Sequence, residues 1–393
     1  MLKFDIGLWY GLRRYGESMV NQGLQGVVAG ESKIGFVDGT NGVLMYRGYP
    51  IDVLAKNSNY LETSHLLLFG SLPNRQELKT FADTVKKKRK LPREILKIIR
   101  ILPTAAHPME LLQTITSAMG THETMDPKKI EKIEERSIEL IAQFPTIVAA
   151  CWRSKQKQKI ISPHPKLDHS ANFLYMITGN VPDPLEAQMF DTCLVLHAEH
   201  SFNVSTFTAR VVASSLPSLH ASISAAVGAL YGPLHGGANE KVLKMISEIK
   251  SPDQVEPWIQ EKLSRKEKIM GMGHRVYQVK DPRSYVLEEM LATLSKKKNN
   301  TKYYELLKKI EEIVQREITK KGKYLWPNVD FFSGALYKLM EIPEILFTPV
   351  FAISRIAGWC AHVIEQMVDN RIIRPDCDYT GPKNLSYIPI AER

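Results

Sequence analysis

The stretch YGPLHGGANEKV, residues 231–242, sets a single histidine, His235, between a proline and a pair of glycines. Gly236 and Gly237 carry no side chain, so the chain can turn sharply and another group can approach the main chain closely. The residues that follow, ANEKVLKMI, put apolar side chains at Val242, Leu243, Met245 and Ile246, the spacing of an amphipathic helix. His235 is therefore expected just before a helix N-terminus. Unpaired N–H groups and the positive end of the macrodipole disfavour an imidazolium there and favour a neutral ring. A neutral imidazole so placed can donate a hydrogen bond to an oxygen that becomes negative during a reaction. The same residues also fit a helix C-cap followed by an N-cap, with an incidental histidine between them.

Outward from this turn the chain reads as helix after helix. LETSHLLLFG ends on Gly70, a glycine of the C-cap type, and SLPNRQELKTFADTVKKKRK starts again after a proline. DPLEAQMFDTCLVLHAEH, SLHASISAAVGALYG and KYYELLKKIEEIVQREITKKG continue in the same style. Only the first fifty residues differ: GVVAGESKIGF, the turn DGTNG and VLMYRGYP read as strands and a tight turn. The expected fold class is all-α with a short N-terminal β segment. A chain of 393 residues is long enough for two domains, or one large and one small lobe.

Bulk chemistry narrows the function classes. The formal net charge of +10 points to anionic partners, whether nucleic acid, membrane surface or acidic metabolites. The lysine runs at 86–90, 155–159 and 296–298 lie near helix ends or in loops, and are expected to be solvated faces. No nucleic-acid-binding module accompanies them. A basic surface that attracts a phosphorylated, carboxylate-bearing metabolite explains the same charge. Cys151, Cys193, Cys360 and Cys377 lie far apart without CxxC pairing, against a zinc site or a disulfide framework and in keeping with a reducing compartment. The longest apolar run, residues 347–364, contains Pro349 and Arg355 and reads as a buried helix rather than a membrane span. The N-terminal MLKFDIGLWYGLRRYG lacks the pattern of a secretory signal, so a cytoplasmic location is expected.

Four more stretches set polar chemistry beside glycine and proline. In LHAEHSFNVSTFTAR, His200 and Asn203 are close enough for one helical turn to aim both at one ligand, although His197 and Asn203 also fit ordinary packing. In IMGMGHRVYQVKDPRSY, Gly271 and Gly273 open the backbone beside His274, a pattern shared with plain turns, and Arg283 follows an Asp-Pro turn. In LWPNVDFFSGALY, Asp330 is flanked by Trp326, Val329, Phe331 and Phe332. Desolvation there raises a carboxylate's pKa and strengthens it as a base, while aspartate is also a favoured N-cap. Arg355, inside an apolar helix, and Arg374 each need an anion or a structural carboxylate partner. The histidines show no recurring metal-ligand spacing, so no metal is expected. Three arginines, Arg283, Arg355 and Arg374, suffice to grip a small dicarboxylate by bidentate pairing. Two histidines and an aspartate suffice to remove a carbon-bound proton and steady the oxygens that take up charge. That chemistry is carbon–carbon bond formation through an enol, with no cofactor required.

GPLHGGAN, GMGHRVY with DPR, PNVDFFSG, SRIAGW and RIIRP with YTGP, in this order, resemble citrate synthases of the shorter bacterial and archaeal type. GLQGVVAGESKI, YRGYPI and HPMELL extend the resemblance from about Leu24 to the C-terminus. The resemblance implies a large helical dimerisation domain, residues 1–235 and 347–393, and a small mobile domain, residues 236–346, in an intimate homodimer. It implies Asp330 as the base that deprotonates the acetyl-CoA methyl and His235 as the residue that steadies the enol or enolate oxygen. His274 then polarises and protonates the oxaloacetate carbonyl. His200, Asn203, Arg283 and Arg355 are implied as oxaloacetate ligands, and Arg374 as the arginine that reaches across the dimer. Lys268, Ile269, Met270, Gly271, Met272 and Gly273 match the segment that receives the adenine of CoA, and Lys321 and Lys323 approach its phosphates. The implied reaction is a Si-type acyl transfer of the tricarboxylic acid cycle, with acetyl-CoA as substrate and no separate cofactor.

Two departures bear on the acyl group. Many citrate synthases carry Asp where this chain has Glu199 and Glu where it has Ser201, and glutamate at the former position also occurs in 2-methylcitrate synthases, which accept propionyl-CoA. Gln278 stands where many relatives carry a basic residue, leaving Lys280 as a substitute grip on the CoA phosphates. The rival readings are therefore a 2-methylcitrate synthase and a catalytically silent acyl-CoA binder. A nucleic-acid-binding protein would be a third, recognised by salt-sensitive binding to strands.

Overall fold

The computed structural model describes residues 13–15, 18–122, 130–249, 251–320, 322 and 324–393. The N-terminal stretch discussed above lies largely outside the described residues, as do Lys321 and Lys323. Among the described residues there are sixteen α-helices and five short strands. All five strands fall before residue 51 and everything regular after it is helical, as the sequence indicates.

Two compact units divide the chain. One is built from the termini, residues 1–31 and 372–393, and includes a small hairpin pairing Arg13–Tyr15 with Ser18–Val20. The other, residues 32–371, holds the remaining strands and all sixteen helices. Its sheet is an antiparallel meander in which Gly35–Asp38 pairs with Val43–Tyr46, which in turn pairs with Tyr49–Pro50. The DGTNG turn closes it, with the Asp38 carboxylate accepting from the N–H groups of Thr40 and Asn41.

Helix boundaries follow local chemistry. Asn74 and Glu77 cap helix Arg75–Lys88 reciprocally, and His107 and Glu110 do the same for Pro108–Gly120. Asp183-Pro184 and Asp281-Pro282 pair a capping carboxylate with a proline at the first helical position. Gly70 ends helix Tyr60–Phe69 in the left-handed conformation, as expected of a glycine C-cap.

Helix Phe347–Val368 is the axis of this unit. Residues 347–364 are buried without exception, and the helices Tyr60–Phe69, Ile130–Lys155, Pro184–His197, Val204–Ala213 and Leu219–Tyr231 pack around it. The stretch Glu344–Val368 is long and apolar enough to cross a bilayer, yet its most apolar window is wholly buried by the protein itself. A helix apolar on all sides is a core helix in this setting. Gly358 lets this helix touch the loop after His197, because a Cβ there would lie 2.3 Å from the Ala198 carbonyl oxygen.

The lysine runs are less solvated than their composition suggests. Lys88 pairs with Glu139 at 2.6 Å, and Arg89 is buried with a hydrogen bond to the Leu167 carbonyl. Lys155 donates to the carbonyls of Thr104 and Ala106, and Lys298 to that of Leu339. These side chains sit at helix ends, where cations meet free carbonyls and the negative end of the dipole. Lys87, Lys90, Lys157, Lys159, Lys296 and Lys297 of the same runs are exposed, as solvated faces require.

Candidate active site

Four loops and two helix termini meet in the larger unit. The turn 232–237 carries His235, whose N–H bonds to the Gly232 carbonyl, while that of Gly236 bonds to Leu230. A Cβ on Gly236 would lie 2.5 Å from the Leu230 carbonyl oxygen, so this glycine is what lets the turn fold back on the preceding helix. Helix Ala238–Ser247 then begins with Gly237 as its N-cap. The bare backbone of the opening stretch is thus a requirement of the turn that presents His235.

His235 is held at its inner edge by Ser205, with Nε2 2.9 Å from the Ser205 hydroxyl. Trp359 donates to the same hydroxyl at 3.1 Å, and Asn203 Oδ1 lies 2.8 Å from it. The hydroxyl has one proton for two acceptors, Asn203 Oδ1 and the imidazole. Burial, aided by the positive charge of Arg355, lowers the His235 pKa to about 4. Burial is the larger cause and Arg355 the smaller, and both favour the neutral ring.

The loop after helix Val255–Ser264 carries His274, just after Gly271 and Gly273 at φ +76° and +87° respectively, and Tyr277. It is laced to the segment before helix Val329–Leu339. Met272 bridges Pro327, Gly273 donates to Trp326, and Asn328 donates to the Gly271 carbonyl. The Asn328 side chain completes the lacing: its Nδ2 donates to the Gly273 carbonyl and its Oδ1 accepts from the Asp330 N–H. One asparagine therefore fixes both the strand leading to His274 and the helix start that carries Asp330. The cap belongs to Asn328, so the capping role open to Asp330 from sequence does not apply.

His274 Nδ1 accepts from the N–H groups of Val276 (3.0 Å) and Tyr277 (3.1 Å). Two N–H donors on one ring nitrogen leave the proton of the neutral imidazole on Nε2. Burial lowers the His274 pKa to about 4, with Arg283 adding to the shift. His200 lies alongside, its ring centroid 5.4 Å from that of His274 and its Nε2 3.1 Å from the Tyr277 hydroxyl. Burial and then Arg283 push its pKa well below the ordinary value. Asp330 moves the opposite way: burial raises its carboxyl to about 7 against the pull of Arg283 and Arg355.

The arginines divide. Arg283 is buried and spends a bidentate fork on Asp281, with Nε 2.9 Å and Nη2 2.7 Å from its two carboxylate oxygens. The Nε edge of Arg283 is therefore committed to Asp281, and the Nη1 edge is the one left to offer a substrate. Arg355 is also buried; its Nε donates to the His197 carbonyl at 2.7 Å and its guanidinium lies 4.8 Å from the Phe351 ring centre. Among the described residues no carboxylate lies within ion-pair distance of Arg355, leaving it the cation with donors to offer. Arg374 belongs to the unit of the termini, where it is exposed and pairs with Asp376 at 3.1 Å.

Two expectations are corrected. His200 and Asn203 do not share a helical turn: both lie in the loop before helix Val204–Ala213, which Asn203 caps by accepting from the Thr206 N–H. The Asn203 amide is thereby turned to the protein rather than outward. Lys280 is buried between Glu288 (2.6 Å) and Glu311 (2.7 Å), so it offers no grip on a phosphate. In the segment matched to CoA, Lys268 is exposed, Ile269 and Gly271 are buried, and Met270, Met272 and Gly273 are half-buried. A separate cavity of about 1040 Å³ lies beside the turn of His235, lined in part by His107, Tyr231, Lys241 and Lys244, and holds none of the three residues central to the site.

Sequence reasoning missed Ser205, Tyr277, Asp281 and Asn328. All four lie inside stretches already singled out, but a hydroxyl, amide or carboxylate that serves another side chain has no spacing signature of its own. The depressed histidines also have a consequence for stability. His169, His197, His235 and His274 have pKa values lowered by burial to between about 3 and about 4, so the unfolded chain binds protons first as pH falls through the ordinary value of 6.5. Stability is therefore expected to decline from about pH 6.5 downward. Urea midpoints at pH 7 and pH 5 test this, and an equal midpoint at both would contradict it.

The fold and these groups define an all-α enzyme with a neutral-histidine and carboxylate site, and comparison with known proteins gives the family. The citrate synthase C-terminal domain pattern matches residues 23–376. The chain is 46% identical to a citrate synthase of Synechocystis sp., covering 95% of this chain and 94% of that protein. It is 41% identical to a citrate/2-methylcitrate synthase of Bacillus subtilis, covering 92% of this chain and 96% of the relative. The crystal structure of citrate synthase from Pyrobaculum aerophilum superposes with a TM-score of 0.92 at 36% identity, over 100% of both chains. The chain belongs to the citrate synthase family. It is an acyltransferase that forms citrate.

Proposed function

We propose that the reaction is an enol condensation of acetyl-CoA with oxaloacetate carried out by His235, His274 and Asp330. Asp330 takes a proton from the acetyl methyl. The developing enol oxygen is met by His235: when the Ser205 proton turns to Nε2, the ring's own proton sits on Nδ1 and is free to donate. The new carbon–carbon bond forms at the oxaloacetate carbonyl carbon, and His274 Nε2–H delivers its proton to the carbonyl oxygen. Water then hydrolyses the citryl thioester and releases CoA. The observation that carries this reading is the pair of backbone N–H groups on His274 Nδ1, which leave Nε2–H as a donor on a neutral ring. His200, Arg355 and the uncommitted edge of Arg283 serve oxaloacetate, with Asn203 holding Ser205 from behind. Arg374 reaches the partner's site in a homodimer.

The segment 268–273, with Lys321 and Lys323, receives CoA, which enters as a substrate, and no separate cofactor takes part. Residues 236–346 form the mobile lobe against 1–235 and 347–393, and closure keeps water from the enolate until the bond has formed. The setting is the tricarboxylic acid cycle of the cytoplasm. Acetyl-CoA is the preferred acyl donor and propionyl-CoA the alternative, since one methylene is worth only about 1–3 kcal/mol of discrimination. Oxaloacetate-dependent release of CoA thiol, compared for the two thioesters, tests both levels. A higher kcat/KM for acetyl-CoA supports the reading, a higher value for propionyl-CoA moves the substrate and keeps the residue roles, and no release from either sinks the mechanism.

A further inference from the structure

We infer that Glu199 is a positioning residue for His200: a buried relay fixes its carboxylate so that it pins the Ser201 backbone in a left-handed conformation and thereby aims the His200 ring. The inference rests on the reading of His200 as an oxaloacetate ligand.

The relay can be followed proton by proton. Arg210 Nη1 donates to Glu365 Oε2 at 2.7 Å and to His362 Nδ1 at 3.1 Å. A guanidinium only donates, so His362 Nδ1 accepts and the ring proton is on Nε2. His362 Nε2–H then donates to Glu199 Oε1 at 3.0 Å. The same oxygen accepts the N–H of Ser201. Arg210 is steadied by Gln366 Oε1 at 3.2 Å and by the Phe202 ring, 4.7 Å from its guanidinium carbon, and Glu365 Oε1 accepts the Lys33 N–H. Two donors, His362 Nε2–H and the Ser201 N–H, thus converge on one carboxylate oxygen, and Arg210 fixes the first of them.

What that oxygen holds is strained. Ser201 has φ +50°, a conformation that residues with a Cβ adopt rarely and keep only when their surroundings over-determine them. It immediately follows His200, so releasing it would swing the imidazole away from Tyr277 and His274. The slot for Glu199 is cut to size: a Cβ on Gly35 or Gly358 would lie 2.7 or 2.5 Å from one of its carboxylate oxygens. Glu199 is fully buried and its Oε2 has no hydrogen-bond partner. A buried carboxylate with one idle oxygen is an expensive way to fill space, which argues that its other oxygen serves a purpose.

The test uses the full chain and thiol release with each substrate varied in turn. Glu199→Gln keeps an oxygen that accepts from both His362 and Ser201, and its kcat/KM for oxaloacetate is expected within threefold of the parent. Glu199→Ala is expected to lose at least tenfold in that constant while the KM for acyl-CoA changes less than twofold. Adding Ser201→Gly to Glu199→Ala is expected to recover at least threefold, because glycine takes φ +50° without strain. If the alanine variant does not fold, Glu199→Asp, one methylene too short to serve both donors, is expected to lose threefold to tenfold. Undiminished oxaloacetate kcat/KM in the alanine or aspartate variant overturns the inference, as does an equal loss for both substrates without recovery by Ser201→Gly. A parent enzyme with no oxaloacetate-dependent release removes the underlying function reading, and this inference with it.

Discussion

Asp330→Asn lowers oxaloacetate-dependent thiol release by about 10³-fold, within the range for losing a positioned general base, and leaves oxaloacetate binding nearly unchanged. The amide is isosteric, and the Asp330 N–H remains capped by Asn328, so the start of helix Val329–Leu339 keeps its shape. In the parent enzyme the same carboxyl sets the pH profile. Its pKa is raised by burial to about 7, and only the ionised form removes a proton. The value of kcat/KM is expected to fall as pH drops through 7, approaching tenfold per pH unit. His235 and His274, held neutral down to about pH 4, do not contribute to that limb. The contribution of this carboxyl to stability moves the other way, and against that of the buried histidines. A carboxyl with a raised folded pKa holds its proton more tightly folded than unfolded, so its contribution to stability is lost as pH rises from about 4 to about 7. Asp330→Asn is free of that loss, and is expected to melt at or above the parent at pH 8 and level with it at pH 4. A parent-like turnover in this variant would remove Asp330 from the base role, and a lower melting temperature at pH 8 would contradict the burial of its charge.

What the sequence disclosed, and what it withheld, follows from how each feature is encoded. The helical class was legible because caps, prolines and apolar periods are local: Asn74 with Glu77, Asp281 with Pro282 and Gly70 act within one turn of themselves. His235, His274 and Asp330 stood out for a related reason, each a polar group set among glycines, prolines or aromatics where packing alone does not ask for it. Residues that act through another side chain were hidden. Ser205 meets His235 across thirty positions and His362 meets Glu199 across 163, so no spacing rule joins them, while Asp281, only two residues from Arg283, was read as part of a turn rather than as its partner. Asn203 was misread because an amide in a polar motif looks like a ligand, whereas the helix that starts at the next residue, Val204, uses it as a cap. Lys280 was misread because charge counted along a sequence ignores depth: beside Glu288 and Glu311 it is an internal cation. The family resemblance drew on the motifs together, and for that reason reached further than any one of them.

His274→Asn separates the two tasks of that ring. In the parent, Nδ1 shapes the loop by accepting from Val276 and Tyr277, and Nε2–H faces the neighbouring His200 cluster as a donor. An asparagine side-chain oxygen sits close to the Nδ1 position and can accept the same two N–H groups, as asparagine does in turns of this kind. The loop should therefore survive, with Gly273 still bonded to Trp326 and the Asn328 amide still on the Gly273 carbonyl. The donor at the Nε2 position is lost outright. If His274 delivers the proton to the forming alkoxide, kcat falls by about 10²- to 10⁴-fold, with the melting temperature within a few degrees of the parent. His274→Gln makes the opposite exchange, since its amide reaches toward the Nε2 position and abandons the two backbone N–H groups. It should retain more turnover than the asparagine variant while melting lower. The reverse order of activities, or an asparagine variant that turns over like the parent, would mean that the ring matters only as a loop element, and the proton for the carbonyl oxygen would have to come from another group, with Tyr277 and His200 the nearest on the same side.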